Sequence, residues 1–175
     1  MRKVLKKNFF NRSALIVAPE LLGKYLVVNR KGIEEAYIIT ETEAYDGLDD
    51  LASHASKGIT ARTEIMFGEA GKIYIYLIYG MYYMLNIVTD KKNYPSAILI
   101  RGVKGLDGPG KLTKKLGITK AFNTRDALPK NGLWFEDRGE KVIEIHIKKS
   151  PRIGVDYAGP IWAKKEYRFI LENYN

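Results

Sequence analysis

Apolar and polar side chains alternate most strictly in Lys72–Leu77, where Ile73, Ile75 and Leu77 interleave with Tyr74 and Tyr76. That period of two is the signature of a strand, here with an aliphatic and an aromatic face. Tyr79-Gly80 reads as a turn and Tyr82–Thr89 as the returning strand, which makes an aromatic hairpin. Tyr25–Val28 and Ala36–Thr42 read as two strands joined by a turn at Arg30-Lys31-Gly32. Ala97–Val103, Lys141–Ile147 and Tyr167–Leu171 are further strand candidates, with His146 an ordinary strand position. Helical signals are short. Residues 13–23 start at a plausible N-cap, Ser13, and end at Gly23, while Gly110–Leu116 ends at Gly117. Thr63–Phe67 and a turn around Asp50–Ala55 complete the set. Strands dominate and the helices are segregated, which predicts an α+β fold around a mostly antiparallel sheet.

The 175 residues fit one domain spanning 1–175, within the usual range of roughly 100–200 residues. Hydrophobic residues make up 46% and charged residues 28%, an ordinary globular balance. The chain has no cysteine and two histidines, His54 and His146, which excludes disulfides, thiol nucleophiles, cysteine-ligated zinc and multi-histidine metal sites. The net charge is +9, and residues 101–150 carry 12 basic against six acidic side chains. A localised basic excess suits a polyanion, and it suits a lysine-rich solubilising surface equally. With no apolar signal after the basic start and no cysteine, a cytoplasmic location is expected. The longest apolar run, Ile73–Val88, is interrupted by Gly80 and Asn86 and is too short for a membrane span.

Five constellations carry possible chemistry. Glu41, Glu43 and Tyr45 share one face of a strand, where a carboxylate beside an aromatic suits a general base for water. The same pattern describes a solvated acidic edge. His54 lies in a polar loop 11 residues after Glu43, as a substrate contact or a packing residue. The tyrosines of the hairpin can stack nucleobases or pack against one another, but Tyr79 at the turn has little to pack on. Gly105–Thr113 approaches a nucleotide phosphate loop but has Leu112 where a magnesium-binding hydroxyl is needed and Pro109 where a backbone N–H is needed. What remains is a glycine-rich entry to a helix, with Gly110, Lys111 and Lys114 suited to a nucleic-acid phosphate. Arg101 ends an apolar strand and calls for an anionic partner, either a phosphate or a structural carboxylate.

The ordered blocks LLGKYLV, ETEAY, DLASHA, RTEIMFGEAGKIYIYLIYGMYYMLNIVT, AILIR, DGPGKLTKKLGI and RIGVDYAG resemble the alkyladenine (3-methyladenine) DNA glycosylase family from about Val17 to the last strand. The resemblance implies a curved antiparallel sheet with short surrounding helices and a protruding hairpin that enters the DNA minor groove. It implies a monofunctional glycosylase that flips alkylated or deaminated purines from duplex DNA, with 3-methyladenine, hypoxanthine and ethenoadenine as candidate lesions. The family's general base falls on Glu43, and the arginine holding the water and a phosphate falls on Arg101. The base pocket falls on Tyr45, His54, Tyr76 and Asn86, with Tyr45 and Tyr76 stacking the base, His54 at its edge and Asn86 disfavouring guanine. The intercalating residue falls on Tyr79. One departure is the stretch Gly102–Asp107, shorter than usual between Arg101 and the GPGK turn.

On this reading the enzyme is a monomer that acts on double-stranded DNA, associated with the nucleoid in a prokaryote, with no metal, no cofactor and no membrane contact. A DNA- or RNA-binding module without catalysis shares the charge and the aromatic hairpin but has no use for Glu43. A nucleotide hydrolase would require the loop at Gly105–Thr113.

Overall fold

In the computed structural model, which describes residues 2–172, the chain runs β1 (Lys3–Val4), α1 (Lys7–Phe10), α2 (Ala14–Glu20), β2 (Tyr25–Arg30) and β3 (Ile33–Asp46). Then come β4 (Ile73–Ile78), β5 (Tyr82–Val88), β6 (Ser96–Val103), β7 (Leu106–Asp107) and α3 (Pro109–Leu116). The last part holds β8 (Leu133–Asp137), β9 (Ile147–Ser150), α4 (Gly159–Trp162) and β10 (Arg168–Leu171). The ten strands form one sheet in the order β1-β8-β2-β3-β6-β5-β4, with β10 on β3, β9 on β10 and β7 on β6. Every pairing among these strands is antiparallel. The architecture is therefore the expected α+β sheet with short helices. Among the described residues no helix is long and apolar enough to cross a membrane.

The spine is β3. Its first half pairs with β2, and its second half pairs with β6 on one edge and β10 on the other. The β3–β6 register slips around Glu41, opposite Arg101 and Gly102. Such an irregularity bends a strand and re-aims its side chains. Beyond it the pairing Glu43↔Leu99, Leu99↔Asn86 and Asn86↔Tyr74 runs straight across four strands. Those four residues therefore share one face, and the intervening residues share the other.

The other face carries the main core. Ala44, Ile98, Ile100, Leu85, Ile87, Ile73 and Ile75 pack with Ala14, Val17 and Ala18 of α2 and Leu112 and Leu116 of α3. Removal of each such large aliphatic side chain from water contributes about 1.5–3 kcal/mol. Thr42 is polar at a core position, and its hydroxyl is satisfied by the Ala18 carbonyl at 2.9 Å.

The structure corrects several expectations. Lys141–Ile147 is not a strand: residues 144–146 form a single 3-10 turn and β9 begins only at Ile147. The alternation there has no core to face, since Ile143 and Ile145 are exposed, and His146 lies in that turn rather than in a ladder. Conversely Leu133–Asp137 carries no clean alternation yet forms β8, flanked by β1 and β2. Its Leu133–Glu136 are buried, with the Trp134 indole N–H donating to Glu136 at 2.6 Å. A strand covered on both faces shows no period. The turn expected near Asp50–Ala55 lies at His54–Lys57 and is 3-10, as is Glu64–Phe67. The first long helix stops at Glu20, and Gly23, at φ +77°, instead turns the chain into β2. In α3, Gly117 is the left-handed cap expected of it.

Candidate active site

Period-two geometry on the four central strands presents Glu43 and Tyr45, Leu99 and Arg101, Met84 and Asn86, and Tyr74 and Tyr76 to one cavity of about 440 Å³. That is the size of a small-molecule site. The loop bearing Ser53 and His54 and the segment Ile153–Tyr157 form its walls, and Pro109 at the start of α3 reaches its mouth.

Glu43 has no exposed surface, yet both of its oxygens are held. Oε1 accepts from the Ile153 backbone N–H at 2.8 Å and stands 3.4 Å from Arg101 Nε. Oε2 accepts from the Tyr45 hydroxyl at 2.8 Å. Burial raises the pKa of Glu43 above the ordinary carboxylate value, while Arg101, the Ile153 N–H and the Tyr45 hydroxyl each pull it back and Glu41 pushes it up. A carboxylate of raised proton affinity is a better base. Burial, together with the charge of Glu43, lifts the Tyr45 phenol well above its usual range, so Tyr45 remains a donor.

His54 follows Ser53, whose hydroxyl caps the short turn by accepting from the Ala55 N–H at 3.2 Å. The ring stands edge-on to Tyr76 at 4.6 Å, with Nδ1 3.1 Å from the Tyr74 hydroxyl. Burial and the charges of Arg62 and Lys57 push its pKa down to about 4, so the imidazole is neutral at pH 7. Asn86 is buried, and its Nδ2 donates to the carbonyls of Tyr74 and Met84 at 3.3 and 3.1 Å. It is a rigid part of the floor.

Tyr79 stands apart from this cluster, at the tip of the β4–β5 hairpin with 86% of its surface exposed. Tyr79 and Gly80 both have positive φ, +50° and +68°, as a mirror-image hairpin turn requires. A tyrosine in that region is uncommon. Leu77, Met81 and Tyr82 are exposed beside it, so the tip is an apolar wedge. The hairpin is braced by α3: a Cβ on Gly110 would meet the Tyr82 ring at 2.7 Å, so only glycine allows this approach. Lys111 and Lys114 are exposed on the same helix. The short stretch after Arg101 is itself ordered, since Leu106–Asp107 folds back as β7 on the end of β6.

The residue that ties the site together heads the RIGVDYAG block, where no local signal gives it a role. Arg152 is fully buried and grips Asp50 with both terminal nitrogens, at 2.5 and 2.8 Å. Nη1 also donates to the Ala44 carbonyl at 2.9 Å, and the guanidinium lies 4.8 Å from the Tyr45 ring and 5.2 Å from that of Tyr167. This pair pins the segment that delivers the Ile153 N–H to Glu43. Its partners are separated by 102 residues and stand in two different blocks, so no single motif shows that they meet. Arg62 is a second addition, its guanidinium 4.8 Å from the Tyr76 ring.

Among the described residues no group of three or more His, Asp or Glu is placed to hold a metal ion. The sequence model of the methylpurine-DNA glycosylase family matches residues 8–107 and 104–175. A Myxococcus xanthus protein provisionally named a 3-methyladenine DNA glycosylase is 47% identical over 97% of this chain and 90% of its own length. A similarly named Legionella pneumophila protein is 45% identical over 99% of this chain and 96% of its own, and one from Methanocella arvoryzae is 44% identical over 97% and 93%. With matches of this extent running through the strands, loops and hairpin that build the cavity, the chain belongs to the methylpurine-DNA glycosylase family.

Proposed function

We propose that this protein flips alkylated or deaminated purines out of duplex DNA and hydrolyses their N-glycosidic bond with a water activated by Glu43. The family is one of DNA glycosylases, hydrolases that act on damaged DNA bases in base excision repair. The observation that carries the finer reading is Glu43 itself, a wholly buried carboxylate with both oxygens oriented on the floor of an aromatic cavity. Complete burial of a carboxylate is costly, and a task at the cavity accounts for it.

The Tyr79 tip enters the minor groove and fills the space the extruded nucleotide leaves. The base stacks between Tyr45 and Tyr76, with neutral His54 at its edge, and Asn86 narrows the floor against a purine with an exocyclic 2-amino group. Gly110, Lys111 and Lys114 lie along the phosphate backbone beside the hairpin. As the C1′–N bond breaks, its electron pair leaves with the base and positive charge builds on the sugar. Water adds its oxygen to C1′, Glu43 takes the proton, and an abasic site and a free base result. Arg101 holds the water and a phosphate through its terminal nitrogens, while its Nε faces the carboxylates. A 3-methylated adenine leaves as a neutral base. Hypoxanthine and ethenoadenine need more help, so slower release is expected for them.

The test is base release from methylated DNA and from a duplex with one hypoxanthine, at enzyme excess and without magnesium. Release of 3-methyladenine by the wild type, lost in Glu43→Gln, supports the reading. Tight, salt-sensitive DNA binding without release from either substrate would replace it with a binding module.

A further inference from the structure

Glu41 does not line the cavity, yet it is tied to the groups that do. Its Oε1 accepts from Arg101 Nε at 2.9 Å and from Arg168 Nη1 at 3.0 Å. Arg168 is anchored in turn, its Nε donating to Ser150 Oγ at 2.9 Å and to the Pro151 carbonyl at 3.1 Å. Those residues immediately precede Arg152 and Ile153, whose N–H holds Glu43. The slipped register at Glu41 makes this arrangement possible, because it turns Glu41 and Arg101 toward one another at the edge of the cavity. Glu41 itself opens into a separate polar groove with Lys104, Asp107 and Arg168.

We propose that Glu41, held by Arg168, is a positioning residue for base release: it fixes the Nε edge of Arg101 beside Glu43 and leaves the two terminal nitrogens of Arg101 for the water and the phosphate. The proposal rests on Glu43 being the base. Two carboxylates then share one guanidinium, and the negative charge of Glu41 partly offsets the acidifying effect of Arg101 on Glu43. The other charged and titratable groups facing Glu43 are Tyr45 on its own strand, Tyr76 on β4, Arg152 and Tyr157 on the adjoining segment, and Arg168 opposite it on β10. Of these only Arg168 touches Glu41, and it keeps its bonds to Ser150 and Pro151 when Glu41 is replaced. An ion pair that merely ties β3 to β10 would affect stability and leave the pH dependence of the chemistry alone.

The experiment is single-turnover base release against pH, with enzyme in saturating excess over a lesion duplex, for wild type, Glu41→Gln, Glu41→Ala and Glu43→Gln. Thermal unfolding of each protein runs in parallel. Glu41→Ala should slow the plateau rate about tenfold or more, the scale expected when a catalytic group is misplaced. Glu41→Gln keeps the acceptor oxygen, so it should recover most of that rate. Because it removes the charge, its acid limb should fall to lower pH by about 0.5–1 unit. An acid limb in Glu41→Gln that coincides with the wild type overturns the proposal, and so does a folded Glu41→Ala with the wild-type plateau. If Glu41→Ala does not fold, the limb of Glu41→Gln decides alone. Wild-type rates retained by Glu43→Gln would instead bring down the assignment of the base, a separate failure.

Discussion

The four central strands have two faces built by the same alternation and put to opposite uses. On one face Ile73, Ile75, Leu85, Ile87, Ile98 and Ile100 are near-interchangeable aliphatics whose task is to fill space against α2 and α3. On the other, Tyr74, Tyr76, Asn86, Leu99, Arg101, Glu43 and Tyr45 line a cavity, and most of them have a specific polar partner. The backbone ladder is common to both. A rigid sheet anchored by the aliphatic face can therefore hold a buried carboxylate and a guanidinium that would otherwise relax toward water. The cost of burying these polar groups on the cavity face is offset by the packing of the aliphatic one.

The largest separation between the faces is expected from Glu43→Gln. The rate of base release should fall by roughly 10²–10⁴, the usual contribution of a general base. The unfolding midpoint at pH 7 should not fall. Burial raises the folded-state pKa of Glu43, so its ionised form opposes folding as pH rises through that range, and the neutral amide removes this term. A large drop in the midpoint would show that the two faces are not independent.

Arg152→Met attacks the joint between fold and site. It strands Asp50 as a buried, unpaired carboxylate, which costs about 3–5 kcal/mol in denaturant unfolding. Base release should also fall among the molecules that remain folded, because Ile153 loses its anchor. A folded variant with unchanged kinetics would separate the Asp50–Arg152 pair from the site.

Ile98→Ala tests the structural face alone. A cavity in the core should cost about 2–5 kcal/mol by chemical denaturation. Single-turnover release per folded molecule should stay close to wild type.

Tyr79→Gly tests the exposed tip. Loss of the wedge should weaken lesion-DNA binding by about 1–3 kcal/mol, measured by titration at fixed salt. Glycine relieves the positive φ, so stability should hold or rise by up to about 1 kcal/mol.

The smallest effect is expected at His54. Its folded pKa of about 4 lies below the ordinary 6.5, so between these values the unfolded chain binds more protons and stability falls as pH falls. His54→Gln should flatten that part of the stability curve, read as unfolding midpoints from pH 7 to pH 4.

Much of the site is legible in the chain because it depends on local periodicity. ETEAY gives Glu43 and Tyr45 one face from alternation alone, and IYIYLIYGMYY gives both the hairpin and its exposed tyrosine. Gly117 caps α3 for a local steric reason. The two differences in strand placement share one cause. Lys141–Ile147 alternates without a partner sheet, and Leu133–Asp137 is a strand without alternation because it is covered on both faces. In each case the pattern reports solvent contact, and solvent contact is set by distant segments.

By itself the sequence determined the strand alternation, the absence of thiol and multi-histidine chemistry, the basic charge, and the membership of Glu43, Tyr45, Tyr74 and Tyr76 in shared faces, since all of these follow from residue identity and a period of two. Only the tertiary structure decided what surrounds Glu43. The slipped register at Glu41, the Arg101–Glu41–Arg168 chain, the Asp50–Arg152 clamp and the N–H of Ile153 join residues that are distant along the chain. Their meeting is fixed by how the sheet bends and which strands lie side by side. The proton affinity of the candidate base depends on burial and neighbouring charge, which exist only once the chain has folded.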